Sequence, residues 1–153
     1  MKIRSISRIG SLNMTSHYFT ERLLIRESQQ PFVKSETFEG VETRDLSLSL
    51  VPQESADVVA ARNCHITRFF IIKTTRDISN HPHENDGEIY LSGRDGTIMV
   101  NDFMGNRRAI QQMAPGKFVI TEIGESHSLM INHGTDQIVF LAIKFEKNRG
   151  GSS

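Results

Sequence analysis

The sequence of 153 residues holds one cysteine, Cys64, no tryptophan and four prolines. A lone thiol closes no internal disulfide, so a disulfide-stapled scaffold is excluded and a reducing compartment fits. No sign of charge is in excess either, with 18 Lys plus Arg against 18 Asp plus Glu. Proteins that bind nucleic acid without sequence preference draw most of their affinity from a cationic surplus, so nucleic acid is not an expected partner. No apolar run approaches the roughly 18 residues of a membrane span. The opening stretch MKIRSISRIGSLNM also lacks the continuous apolar segment of a secretory signal. What is present is 37% hydrophobic and 24% charged residues, enough for one folded domain. The expectation is a soluble cytoplasmic protein with no membrane contact.

The recurrent pattern has a period of two. In Val41–Val51 the leucines 46, 48 and 50 alternate with Ser47 and Ser49, as in a half-buried strand. Cys64–Lys73 is dense in β-branched and aromatic residues and reads as a buried strand. Short strand-like runs follow at Glu88–Leu91, Thr97–Phe103, Arg107–Met113, Lys117–Thr121, His127–Asn132 and Gln137–Phe145. Turn residues separate them, including Asp95-Gly96, Gly105-Asn106, Pro115-Gly116 and His133-Gly134. Glu54–Arg62 suits one or two helical turns, and Tyr18–Glu27 leans towards strand. Many short strands without a long amphipathic helix predict an all-β sandwich or barrel. Phe103, Phe118, Phe140 and Phe145 are expected in the core. The pair Arg107-Arg108 is expected in a solvated hairpin.

Chemistry concentrates in residues 81–88, HPHENDGE. Alternation along a strand sends His81 and His83 to one face. The Glu84–Gly87 turn reverses the chain, and Glu88 opens the next strand with an inward carboxylate. Tyr90, two residues on, shares the face of Glu88. Two imidazoles and a carboxylate at a barrel mouth form a candidate divalent metal site, and His127, opening a later strand, is placed to complete it. Of the other histidines, His65 reads as an ordinary sheet residue, and His17 and His133 as solvated. Cys64 has no basic cluster or second cysteine nearby in sequence to activate it. Arg68 shares the parity of Cys64, Ile66 and Phe70. It is either an inward cation able to hold a carboxylate or phosphate, or a surface residue. Ile66, Phe70, Met99 and Phe118 are the apolar inward candidates.

These residues resemble the two motifs of the cupin superfamily. His81, His83 and Glu88, followed by Gly96, look like the first motif. Pro115, Gly116, Gly124 and His127 look like the second, with Glu122 in place of its second proline. The resemblance covers roughly residues 60–145. Three positions depart from it: Thr75 stands where a glycine is usual, the spacing to Gly96 is one residue longer, and Ile131 replaces an asparagine. None removes a ligand. The small polar run NRGGSS at 148–153 reads as a flexible tail. The resemblance implies a single domain over residues 1–147, a double-stranded β-helix (jelly-roll barrel) with its core at about residues 60–145 and an N-terminal strand extension. It implies one divalent ion (Fe, Mn, Ni or Zn) held by His81, His83, Glu88 and His127, with Glu88 either a ligand or a base beside the ion. Tyr90 and Arg68 are the candidate catalytic residues.

Three chemistries fit such a site. A Lewis-acid isomerase, epimerase or lyase acting on a small oxygen-rich substrate is slightly favoured. An Fe(II) dioxygenase and a non-catalytic small-molecule or metal binder are the alternatives. A homodimer paired through sheet edges is the expected assembly.

Overall fold

A computed structural model describes residues 9–11 and 31–149; His17 and the segment 18–27 lie outside the described residues. Among the described residues there are eleven strands, one 3-10 turn and one helix: β1 (Ile9–Ser11), β2 (Val33–Lys34), β3 (Val41–Leu46), the 3-10 turn Leu48–Leu50, α1 (Gln53–Ala60), β4 (Cys64–Thr74), β5 (Ile78–Pro82), β6 (Gly87–Leu91), β7 (Gly96–Asn101), β8 (Arg107–Gln112), β9 (Lys117–Thr121), β10 (Ser126–Ile131) and β11 (Ile138–Lys147). They form a seven-stranded sheet, β1-β9-β6-β11-β4-β3-β2, and a four-stranded sheet, β5-β10-β7-β8. All pairings are antiparallel.

The pairing order explains the shape. β7 and β8 form a hairpin, and β6 pairs β9, β5 pairs β10 and β4 pairs β11 outward from it. This is one long two-stranded ribbon. Its successive segments alternate between the sheets, and the pairs β6–β11 and β7–β10 close its turns. The result is a double-stranded β-helix, the all-β jelly roll the sequence pattern predicts. β1 and β2 extend the two edges of the larger sheet within the same chain. Among the described residues, no helix is long and apolar enough to cross a membrane.

Two apolar layers hold the ribbon. Phe70, Ile98, Val100, Leu129, Phe140 and Ala142 fill the space between the sheets. Phe69, Ile71, Leu141, Ile143 and Phe145 pack on the other side of the larger sheet, with Val59 of α1. β4 and β11 are therefore buried on both faces, which is why their apolar runs are continuous rather than alternating.

Several sequence expectations change here. The leucine alternation breaks at Leu46, because the Ser47 hydroxyl accepts from Ser49 N and starts the 3-10 turn. Leu48 is consequently half exposed. In β4 the register opposite β11 steps from Arg68 to Ile66, leaving Thr67 as an extra residue. That bulge inverts the parity, so Cys64 and Ile66 join the outer layer while Arg68, Phe70 and Ile72 face inwards. Phe118 also packs in the outer layer, and Met99 alternates with the fully buried Ile98 and Val100, so it faces away from the interior.

Phe103 is 80% exposed. It rides the tip of the β7–β8 hairpin, where Asp102 Oδ1 accepts from Met104 N and Asn106 N, both at 2.9 Å. Arg108 is not solvated: its guanidinium pairs with Glu125 at 2.6 Å and donates to Ile120 O at 2.7 Å. Asn148, expected to open a flexible tail, bonds Asn63 O through its amide N at 3.0 Å and His65 Nδ1 through its side chain at 2.9 Å.

Candidate metal centre

Four elements meet at the mouth of the smaller sheet. His81 lies on β5 and His127 on β10, and the two stand opposite each other in the ladder. Past Pro82 the chain stays tied to the turn that leads into His127. His83 N donates to Glu125 O at 2.8 Å, and Gly124 N donates to His83 O at 2.6 Å. Gly124 has φ +94°, a conformation that favours glycine. The Arg108–Glu125 pair holds this turn from behind, with Glu125 Oε1 also accepting from Glu122 N at 2.8 Å. Glu88 and Tyr90 rise from β6. Glu88 sits opposite Thr121 of β9 on one side and Lys144 of β11 on the other. Gly87 precedes Glu88 for a packing reason: a Cβ there would lie 2.2 Å from the Phe145 ring.

The three imidazoles converge through their Nε2 atoms. His83 and His127 are 3.1 Å apart, and His127 and His81 are 3.2 Å apart. All three ligand atoms lie within 4.8 Å of one another. Each ring is held from the back through Nδ1. His81 donates to Ser79 O at 2.8 Å, His83 to Asp86 Oδ1 at 2.9 Å, and His127 meets Thr121 Oγ1 at 2.6 Å. The carbonyl accepts only. So does the Asp86 carboxylate, which the hydrogen bond from His83 holds ionised, below its usual range. Hence the proton of neutral His81 and of neutral His83 is on Nδ1 and the Nε2 lone pair is bare. The Thr121 hydroxyl works in either direction, so His127 alone is free to change tautomer.

With the His127 proton on Nδ1, towards Thr121, all three Nε2 lone pairs are bare and repel one another at such separations unless a cation lies among them; with it on Nε2, His127 could donate to only one of its neighbours. Two imidazole nitrogens each about 2.1 Å from a shared ion stand roughly 3.0–3.4 Å apart at octahedral or tetrahedral angles. The observed spacing matches, and the donor set fits a borderline divalent ion. Burial lowers the proton affinity of His127 well below that of an ordinary histidine, and the neighbouring His83 and His81 push it the same way. Burial likewise lowers that of His81, partly offset by its bond to Ser79. Neutral imidazole is the form that binds metals.

Glu88 stands beside this group, with Oε1 3.4 Å from His127 Nε2 and 3.7 Å from His83 Nε2. Burial raises its pKa, against the opposing pull of His83, Lys144 and a hydrogen bond from Tyr90. The Tyr90 hydroxyl is 3.0 Å from His127 Nε2, and burial together with the Glu88 charge holds its proton on well above the usual phenol range.

A cavity of about 330 Å³ opens in front of these groups. Its floor includes His81, His83, Glu88 and Tyr90, and Phe38, Phe70 and Ile72 supply an apolar wall. Arg68 also lines it, which settles the alternative left open by the sequence in favour of the inward side. Cys64 is buried and its thiol is pushed up by burial, matching the inert role expected of it. His65 and His133 are exposed and away from the cavity. Asp86, Thr121, Lys144 and the Arg108–Glu125 pair were not singled out by sequence. Lys144 carried a readable signal, as the one charge inside the apolar run IVFLAIKF.

Comparison with solved structures places this architecture. A predicted oxalate decarboxylase from Thermotoga maritima superposes with a TM-score of 0.51 at 24% identity, over 79% of this chain and 96% of that one. An oxidoreductase of the 2OG-Fe(II) oxygenase family from Burkholderia pseudomallei gives 0.59 at 14% identity, over 89% and 81%. A non-heme α-ketoglutarate-dependent epimerase from nogalamycin biosynthesis gives 0.60 at 9% identity, over 88% and 73%. The chain has a cupin fold. No protein-family profile matches the sequence, and no curated protein matches it. At these identities the likeness is one of fold, and the chemistry rests on the residues of the site. In this chain the two sequence motifs meet in space because β5 and β10 are ladder neighbours, which brings His81 and His83 to His127 across 44 or more residues of chain.

Proposed function

We propose that the protein is a metal-dependent enzyme acting on a small oxygen-rich molecule, with proton transfer as its central step. The observation that carries this reading is the convergence of three Nε2 atoms on one point at the floor of an open cavity, beside a buried carboxylate. His81, His83 and His127 would hold a divalent ion, which supplies Lewis-acid polarisation of a substrate oxygen when bound. The remaining work belongs to the chain. Asp86, Ser79 and Thr121 fix the three rings so that no reorganisation is needed on binding. Glu88 contacts only two of the imidazoles at ion-pair range, and its raised pKa suits a group that takes up and returns a proton. Tyr90 donates its one proton to Glu88 and keeps it, so it orients the carboxylate. This arrangement supports isomerase, epimerase or lyase chemistry as the reading.

The apolar wall of Phe38, Phe70 and Ile72 favours a second reading, an Fe(II) dioxygenase with a less polar substrate. One experiment separates the two. The protein reconstituted with Zn, Mn, Ni or Fe(II) is incubated with a panel of sugars, hydroxy acids and keto acids in deuterated water. Deuterium entering the substrate, and lost in Glu88→Gln while metal content persists, supports proton-transfer chemistry. Oxygen consumption with Fe(II) in the absence of such exchange supports the dioxygenase. Loss of the metal itself in Glu88→Gln would overturn the role of Glu88 as base and make it a ligand.

A further inference from the structure

The sheet register draws a polar row across the cavity. Thr121, Glu88, Lys144 and Arg68 are directly opposed neighbours on β9, β6, β11 and β4. Glu88, Lys144 and Arg68 all line the cavity. The next inward row is apolar apart from one phenol hydroxyl: Val119, Tyr90, Ala142 and Phe70. Directly opposed residues have Cβ atoms about 5 Å apart, so Lys144 and Arg68 enter the cavity from neighbouring positions on the far side of Glu88 from Thr121, with the ammonium leaning towards Asp86 and the guanidinium towards Asp45.

Each cation has one acidic neighbour and donors to spare. The Arg68 guanidinium lies over the Phe70 ring, 3.9 Å from its centroid, with Nε on Asp45 at 2.7 Å and Nη2 on Thr43 at 3.2 Å. These contacts lock the fork in place and leave its Nη1 edge without a partner among the described residues. Lys144 Nζ has Asp86 Oδ2 at 3.7 Å, an ion-pair distance beyond hydrogen-bond length. Both side chains are about one-third exposed, Arg68 at 36% and Lys144 at 33%, so they are accessible from the cavity. A fixed guanidinium with spare donors beside a lysine with spare donors is the arrangement that recognises an oxyanion.

We infer that Lys144 and Arg68 form the anchor for a carboxylate of the substrate, so that the ligand of this cavity is a small carboxylate-bearing molecule whose other end reaches the three histidines. The inference rests on the proposed function only for what that other end meets. A carboxylate fits better than a phosphate. Asp45 and Asp86 already offset part of each cation's charge, and Glu88 closes the row, so a group carrying two charges at the anchor would meet three carboxylates at close range, whereas succinate brings one charge there and its second to the far end. The single charge and planar shape of a carboxylate match one guanidinium edge and one ammonium.

The test is calorimetric titration of the zinc-loaded protein with succinate, with its uncharged diamide, and with inorganic phosphate. Elemental analysis runs in parallel on the wild type, Arg68→Met, Lys144→Met and the double variant. Arg76→Met, an exposed cation paired with Glu39 away from the cavity, is the control. The inference predicts that succinate binds more tightly than the diamide or phosphate. Each single variant should weaken succinate about tenfold or more while zinc content is unchanged. Arg76→Met should bind succinate as the wild type does. Equal binding of succinate by wild type and double variant would overturn it, as would equal binding of succinate and the diamide, or tighter binding of phosphate. A wild-type protein that takes up no zinc, yet binds succinate through Arg68 and Lys144, would leave the carboxylate anchor standing and remove the metal reading.

Discussion

Replacing Thr121 with valine removes one oxygen from a residue that holds a proposed metal ligand without being one itself. Thr121 is 1% exposed, and its hydroxyl sits 2.6 Å from Nδ1 of His127, itself 1% exposed. Valine keeps the β-branched shape and the ladder pairing with Glu88. It leaves the Nδ1 proton of metal-binding His127 buried without a partner, a penalty of about 1–3 kcal/mol. The ring also loses the contact that fixes its orientation, and losses of this kind lower metal affinity about 10- to 100-fold. The two figures agree, since tenfold corresponds to about 1.4 kcal/mol. Competition of the protein for zinc against a chromophoric chelator measures the effect, with Thr121→Ser as the variant that restores the hydroxyl. Thr121→Val should bind zinc about 10- to 100-fold more weakly, and Thr121→Ser close to the wild type. Wild-type affinity in Thr121→Val would refute the claim that this hydroxyl sets the ring.

Three further outcomes follow from packing and charge. Gly87→Ala places a methyl 2.2 Å from the Phe145 ring, so it should cost about 1–3 kcal/mol of overpacking, read by urea denaturation; an unchanged midpoint would contradict the close approach. Arg108→Met leaves Glu125 as a largely buried carboxylate and should cost about 3–5 kcal/mol in the same assay, against little change for Arg107→Met on the exposed side of the same strand. Metal retention should follow the lowered proton affinity of His127 and His81. A bound ring must be neutral, so acidification should begin to release zinc only below the ordinary histidine value of 6.5, and release already at neutral pH would contradict the burial argument.

The candidate site was legible because its residues are local in sequence: His81 and His83 are two apart, and Glu88 opens the next strand after a turn. His127 was legible as a strand-opening histidine after a glycine turn, although its contact with His81 needs the β5–β10 ladder. What escaped was set by sheet register and irregularities. A bulge at Thr67 decides that Arg68 and Phe70 face the cavity while Cys64 and Ile66 face away, and no alternation rule anticipates an extra residue. Phe103 looked like core until the Asp102 side chain turned the hairpin beneath it. Arg108 looked solvated because its partner Glu125 is 17 residues away. Thr121 and Lys144 flank Glu88 only through ladders between distant strands. Lys144 had one local mark, a lone charge in an apolar run, and it points to the same cavity as the histidines.

The central claim is that His81, His83 and His127 hold one divalent ion. Elemental analysis of the untagged protein purified without chelator tests it most directly, alongside His127→Ala and His133→Ala. The account predicts near-stoichiometric metal in the wild type and in His133→Ala, whose ring is exposed and away from the cavity, and a strong loss in His127→Ala with the fold retained. Full occupancy in His127→Ala, or a wild type that neither carries a metal nor takes one up when divalent ions are added, would contradict it.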